Sequence, residues 1–72
     1  MPLSMVSPGT RVSVVRIRGG REVCTRLASL GLVPGAEVEV MQSGSGGPLV
    51  VSILDTRLVL GRGVAHKVEV TL

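Results

Sequence analysis

Apolar and polar residues alternate along most of the chain with the period of two that is typical of half-buried β-strands. The alternation predicts five short strands, at about residues 10–17, 36–41, 49–53, 57–60 and 67–72. In the first strand, the neighbours Val14 and Val15 interrupt the alternation, so we expect a β-bulge there. In the last strand, we expect Val68, Val70 and Leu72 to point into the core.

The segment between the first two strands has a helical period instead. Residues 21–30 predict an α-helix of roughly three turns, since Val23, Leu27 and Leu30 are spaced to lie on one helical face. We therefore expect these three side chains to belong to the core.

The helix is expected to end in a tight corner. Gly31 stands where a helix needs a residue that accepts a left-handed conformation, and Leu32 can then fold back on the last turn. Pro34 and Gly35 fit the two central positions of a type II turn, because proline presets the first φ and glycine accepts a positive second φ. A strand should start directly after this corner.

The later connections decide between two small β folds. Ser43–Gly47 predicts a mobile hairpin loop, Asp55-Thr56 a hairpin turn, and Gly61–Gly63 a break before one helical turn at Val64–His66. A five-stranded OB barrel also satisfies the strand count. The one-turn helix before the last strand favours a mainly β, SH3-like partial barrel of about five antiparallel strands, with one short α-helix between strands 1 and 2.

Length and composition indicate one domain over residues 1–72. No apolar run approaches the ~18 residues of a membrane span, and the first residues do not resemble a signal peptide. The single cysteine, Cys24, cannot form an internal disulfide, which agrees with a reducing compartment. We therefore expect a cytoplasmic protein.

The charge balance leaves the class of partner open. Eight Lys and Arg against five Asp and Glu give a net charge of +3, which is compatible with an acidic protein surface or with nucleic acid. The chain has no Phe, Tyr or Trp. It therefore lacks the aromatic side chains on which bases stack or proline-rich peptides dock, and we expect no nucleic-acid partner.

No catalytic or cofactor motif is present. The glycine-rich segments lack the lysine of a phosphate-binding loop, and one His with one Cys makes no convincing catalytic triad. We expect no enzyme activity, no cofactor and no intrinsic metal site, because potential ligands are scattered singly. A weaker alternative is a metal site shared between molecules through His66 and Cys24, with help from Glu22, Asp55 or Glu69.

Several phrases together resemble the family of ferrous iron transport protein A, FeoA. They span nearly the whole chain and comprise Pro8-Gly9, Gly19-Gly20, Arg26–Gly35, Leu58–Ala65 and Val68–Val70. The most specific is the central motif, Arg26–Gly35, in which Arg-Leu, Leu-Gly-Leu and Pro-Gly follow one another in that order.

The resemblance implies an SH3-like cytoplasmic accessory protein that binds the cytoplasmic part of FeoB, the membrane GTPase that carries ferrous iron, and modulates its activity or assembly. It does not imply insertion into the membrane, and weak self-association is a further expectation. Two alternatives remain open: a small basic barrel that binds RNA or DNA, and a metal-sensing domain.

The corner after the helix is the expected partner-binding surface, as an apolar patch with a basic rim. The residues left free there are Arg26, Leu32, Val33 and Met41. The competing interpretation is that Leu32 only completes the helix cap and that Val33 is a lone exposed side chain.

Two arginines allow a second hypothesis for the partner. Arg26 or Arg62 could reach into a GTPase site as an arginine finger. The simpler expectation is that Arg26 pairs with Glu22 on the helix and that Arg62 caps a loop.

Overall fold

Five antiparallel strands and two α-helices follow one another in a computed structural model that describes residues 1–44 and 46–72. A 3₁₀ turn at Leu3–Met5 precedes β1 (Arg11–Ile17), α1 (Arg21–Ser29), β2 (Glu37–Ser43), β3 (Leu49–Ile53), β4 (Thr56–Leu60), α2 (Arg62–His66) and β5 (Val68–Thr71). The predicted mainly β architecture with a helix between the first two strands is confirmed. The loop prediction for Ser43–Gly47 lies partly outside the described residues, because Ser45 is not among them.

The strands form one sheet in the order β4-β3-β2-β1-β5, and each neighbouring pair is antiparallel. The register of β1 against β5 shifts between Val14 and Arg16, which confirms the predicted bulge. A second irregularity, between Val40 and Gln42 of β2, interrupts the β2–β3 ladder. Such bulges bend strands and let a short sheet curl around its core.

The core is aliphatic and comes mainly from the inward faces of the strands. Its members include Val12, Val38, Val51, Val68 and Val70, all at most 2% exposed. The expectation that Leu72 also points inward is wrong, because its side chain is 86% exposed. The β5 ladder ends at Thr71, so the next residue has no partner strand to hold it over the core.

The two edges of the sheet differ. The main chain of residues 1–2 runs beside β5, where the Met1 amino group donates to the Val70 carbonyl oxygen at 2.9 Å and the Val70 amide donates to the Met1 carbonyl oxygen at 2.7 Å. The opposite edge is β4, on which Val59 is 69% exposed. No helix in residues 1–44 or 46–72 is long and apolar enough to cross a membrane.

The hairpin between β3 and β4 turns one residue earlier than predicted. Ile53 pairs with Thr56, so the two turn residues are Leu54 and Asp55, with φ angles of 49° and 66°. Two positive φ angles are the mark of a type I′ turn, whose twist matches that of the flanking strands. The prediction of Asp55-Thr56 was wrong because the twist requirement of the strands overrode the poor turn propensity of leucine.

Candidate functional site

The helix α1 ends in a Schellman motif. The Gly31 amide donates to the Ala28 carbonyl oxygen and the Leu32 amide donates to the Leu27 carbonyl oxygen, both at 3.0 Å. Gly31 has a φ of 96°, the left-handed conformation expected from the sequence. The motif reverses the chain and brings Leu32 back against Leu27, and both side chains are in the core.

The next four residues form the predicted type II turn. The Ala36 amide donates to the Val33 carbonyl oxygen at 3.0 Å, and Gly35 has a φ of 91°. Val14 of β1 fixes this turn to the sheet. Its amide donates to the Ala36 carbonyl oxygen at 2.9 Å, and its carbonyl oxygen accepts from the Gly35 amide at 2.8 Å. Because its backbone is bonded on both sides, the corner holds Val33 in a defined position.

This geometry corrects the expected roles of two leucines. Leu32 is 0% exposed, so the prediction that it is free to contact a partner is wrong, and its cap interpretation is confirmed. Leu30 was expected in the core but is 43% exposed. The helix ends at Ser29, one residue before Leu30, and the glycine reversal then places Leu32 where a continuing helix would have placed another side chain.

A groove lies between this corner and the tip of the β3–β4 hairpin. Val33, 40% exposed, comes from the corner, whereas Leu54, 91% exposed, comes from the hairpin tip. The remaining lining residues are Arg11, Gly31, Gly35, Ala36, Glu37, Glu39, Ser52, Ile53 and Asp55. The site therefore combines aliphatic side chains with a charged rim.

The rim of the groove is acidic rather than basic. Among the described residues that line the groove, Arg11 is the one cation, and its guanidinium lies 3.5 Å from the Glu39 carboxylate. Glu37 and Asp55 also line the groove, and neither forms an ion pair among the described residues. The other arginines do not line this groove, so its lining lacks the basic rim expected for the partner surface.

Two arginines lie near the other end of β1. Arg16 and Arg18 both approach the Glu69 carboxylate, at 3.6 and 3.4 Å. Glu69 is partly buried, with 22% of its side chain exposed, and it offsets part of this basic surface. Since strands rise about 3.3 Å per residue, this basic end lies roughly 20 Å from Arg11 at the groove.

Two other residues expected in the partner surface lie outside the groove lining. Arg26 is exposed in the last turn of α1, and Met41 is half-buried beside the β2 irregularity. The expected pair between Arg26 and Glu22 is not among the ion pairs of the described residues. Of the predicted surface residues, Val33 alone lies in the groove.

The guanidinium of Arg62 holds three segments of the chain together. Nε donates to the Gly47 carbonyl oxygen at 2.9 Å, and the terminal nitrogens donate to the Ser4 carbonyl oxygen at 3.2 Å, to the Ser43 hydroxyl at 3.4 Å and to the Gly44 carbonyl oxygen. The expectation that Arg62 caps a loop is confirmed. An arginine with these bonds is poorly placed to act as a finger in a partner.

His66 and Cys24, the two residues considered for a shared metal site, have different neighbours in the structure. His66 Nδ1 lies 3.2 Å from the Ser4 hydroxyl, whereas the Cys24 thiol faces the carbonyl oxygens of Gly19 and Ile17 at 3.7 and 3.9 Å. The described part of the chain has no group of three or more His, Cys, Asp or Glu that could hold a metal ion. Within one chain these two residues do not come together, and a site shared between two molecules stays a prediction.

Sequence reasoning missed Leu54 and Glu37 as members of the groove. The usable signal was leucine in a two-residue hairpin turn, where Asn, Asp or Gly is favoured. Nothing in the local sequence shows that this turn lines the same groove as Val33, since the two segments are about twenty residues apart in the chain.

The model of the FeoA domain matches residues 1–72. The chain belongs to the FeoA family. A Methanocaldococcus jannaschii protein named as a candidate Fe(2+) transport protein A is 32% identical over 69 residues, which cover 96% of this chain and 83% of that protein. FeoA proteins are accessory proteins of ferrous iron transport.

Solved FeoA structures share the fold. A crystal structure described as an iron uptake regulatory protein, FeoA, is 40% identical with a TM-score of 0.93, and the match covers 97% of this chain and 93% of that one. FeoA from Stenotrophomonas maltophilia, solved with zinc and described as an SH3-domain protein, is 32% identical with a TM-score of 0.86. The match covers 99% of this chain and 89% of that one. The SH3-like prediction is thereby confirmed.

Proposed function

We propose that this FeoA protein is a non-enzymatic, cytoplasmic accessory protein that binds the cytoplasmic part of a FeoB-type membrane GTPase and modulates its activity or assembly. The observation that carries the proposal is the exposed Val33 on a corner whose backbone is fixed to β1. An aliphatic side chain held in one position is an effective anchor, because little conformational freedom is lost when a partner covers it. Family membership supports the role in ferrous iron transport.

The proposed contact is with the transporter rather than with nucleotide or iron. The part of the chain that the structure describes contributes no lysine and no histidine to the groove beside Val33. Its charged side chains are carboxylates and one arginine that already has a carboxylate neighbour. Such a surface suits a protein segment better than a phosphate group, which prefers exposed cationic donors.

The test is a pull-down and GTPase assay with the cytoplasmic domain of the transporter, in the GTP-like, GDP-bound and nucleotide-free states. The wild-type chain is expected to bind in at least one state. Val33→Glu should weaken that binding at least about tenfold, since it removes the aliphatic anchor and puts a charged group that must lose its water in the apolar contact. Absence of binding by the wild-type chain in every state would contradict the proposal.

A matched control separates loss of the site from a general effect of added charge. Val59 is exposed on β4 and does not line the groove, so Val59→Glu adds the same charge elsewhere. This variant should bind like the wild type. If Val33→Glu stays folded and binds as well as the wild type, or no more weakly than Val59→Glu, the corner is not the interface.

A further inference from the structure

Leu54 is not explained by the stability of the fold. It occupies the first position of a type I′ turn with a φ of 49°, a conformation that disfavours side chains other than those of Asn, Asp and Gly. Its side chain is 91% exposed, so burial offers no compensation. A residue that is both strained and exposed suggests a role in binding.

The position of Leu54 indicates what kind of group it meets. It lines the same groove as Val33, and the buried Ile53 and the half-buried Ala36 also line it. The corner and the hairpin approach each other closely here, since a Cβ atom built on Gly31 would lie 3.4 Å from Ile53 Cγ2. The groove thus offers aliphatic contacts from two separate elements to one apolar side chain.

The rim defines the charge of the occupant. Glu37, Glu39 and Asp55 line the groove together with Arg11, so its net charge is negative although the whole chain has a net charge of +3. Arg11 faces Glu39 at 3.5 Å, which leaves the carboxylates of Glu37 and Asp55 without an ion pair among the described residues. A partner that brings positive charge beside an apolar side chain would complement both features.

We propose that the groove binds a partner segment in which aliphatic side chains are flanked by Lys or Arg, with Leu54 as the second anchor beside Val33. This inference rests on the proposed function, because it describes the segment of the transporter partner that the groove holds. Although the fold is SH3-like, the chain has no aromatic residue to form the groove in which proline-rich peptides dock. The occupant is therefore defined by aliphatic and basic side chains.

Labelled peptides test the inference directly by fluorescence anisotropy. The probe carries two leucines between two lysines, and two matched peptides replace the lysines by glutamates or the leucines by alanines. The lysine-leucine peptide should bind the wild-type chain at least about tenfold more tightly than either matched peptide. Equal affinity for all three peptides would overturn the proposal.

Variants of the chain identify where the peptide binds. Leu54→Asn removes the aliphatic contact but suits the turn, and it should weaken binding of the lysine-leucine peptide about tenfold. Glu37→Gln combined with Asp55→Asn should weaken it about fivefold at low salt. Unchanged affinity in both groove variants, with far-UV circular dichroism confirming the fold, would overturn the assignment of the groove.

The controls are an exposed leucine and an exposed carboxylate outside the groove lining. Leu72→Asn makes the same change as Leu54→Asn, and Glu22→Gln neutralises one carboxylate outside the groove; both should leave the affinity unchanged. The pull-down with the transporter domain is a separate measurement. If the wild-type chain binds that domain but none of the variants affects peptide binding, the inference about the groove fails while the proposed function stands.

Discussion

Two leucines at the end of α1, Leu30 and Leu32, lie in opposite environments. Leu30 is at the C-cap position and 43% exposed, whereas Leu32 is completely buried after the glycine reversal. Helical spacing from Leu27 predicts that Leu30 is buried. This prediction is wrong because the helix ends at Ser29, before Leu30. The residue that completes the Schellman motif is therefore part of the core.

Replacing each leucine by alanine should show this difference. Leu32→Ala should lower the free energy of unfolding by about 3 kcal/mol, because it leaves a cavity in a tightly packed core. Leu30→Ala should lower it by less than about 1 kcal/mol. Urea denaturation followed by far-UV circular dichroism measures both values, with Leu32→Met as a milder core variant, and a larger effect at Leu30 would contradict the structure.

A single side chain, Arg62, joins parts of the chain that are distant in sequence. It bonds to Ser4 near the 3₁₀ turn and to the connection that follows β2, while its own backbone begins α2. Hydrogen bonds from a charged donor to carbonyl oxygens contribute more than neutral ones. The planar guanidinium can reach several acceptors at once, which an ammonium group cannot do in the same way.

Arg62→Ala should therefore lower the free energy of unfolding by about 2 kcal/mol. Arg62→Lys should restore only a minor part of this loss, because the lysine head group lacks the fork of donors. Arg57→Ala, at an exposed position of β4, is the control and should change stability by less than about 0.5 kcal/mol. Thermal denaturation compares the three, and full rescue by lysine would show that charge alone matters at this position.

At the scale of elements, the corner after α1 depends on two glycines with positive φ. Gly35 has open space around a would-be Cβ atom, so a larger residue would be disfavoured there only by its backbone conformation. Gly20 also has open space, but its φ is −73°, which every residue accepts. Comparing Gly35 with Gly20 therefore isolates the cost of a positive φ, because an added Cβ atom would meet no neighbour at either position.

Gly35→Ala should lower the free energy of unfolding by about 1 kcal/mol, since alanine is strained at a positive φ. Gly20→Ala should change stability by less than about 0.5 kcal/mol, because the gain from restricting the unfolded chain opposes the preference for glycine over alanine at this N-cap. Chemical denaturation of both variants measures the difference. Equal values would indicate that the turn does not require the left-handed conformation.

These elements also show how much the sequence could predict. The helix stop at Gly31, the turn at Pro34-Gly35 and the bulge at Val14 follow from local chemistry and are confirmed. The groove could be predicted only in part. The place of Val33 after the helix predicts its exposure, but Leu54 lines the same groove only because the sheet brings the β3–β4 hairpin there, and no local pattern encodes that placement.

In the β3–β4 hairpin, unlike the corner after α1, we expect a substitution to raise the free energy of unfolding. Leu54→Asn should raise the free energy of unfolding by about 0.5–1 kcal/mol, since asparagine accepts the left-handed region with little strain. The same substitution is expected to weaken peptide binding, so stability and binding should change in opposite directions. A thermal melt measures the first effect, and a lowered melting temperature would show that the exposed leucine stabilises the native fold.

At the scale of the whole molecule, charge is unevenly distributed along β1. The start of the strand lies at the acidic groove, and Arg16 and Arg18 lie near its end. A nucleic-acid ligand would be expected at the basic end, whereas the proposed protein contact lies at the other. Nucleic-acid binding and the proposed protein contact differ in how strongly their affinity depends on ionic strength.

Raising the salt concentration from about 50 to about 200 mM should weaken binding of the transporter domain by less than about tenfold, because aliphatic contacts carry much of the affinity. Binding to a duplex through six phosphates would fall about a thousandfold over the same range. Anisotropy titrations with the transporter domain and with a labelled oligonucleotide compare the two ligands. A steep, log-linear salt dependence for the transporter domain would contradict the proposed contact.

The unequal edges of the sheet have a consequence for stoichiometry. Met1 and Pro2 lie along β5, so β4 is the edge at which a second sheet could be added with fewer contacts to displace. Two copies that joined there by an antiparallel two-fold pairing would each use the same strand. The pair would then present no further edge of that kind, and the assembly would end at a dimer instead of growing into a fibril.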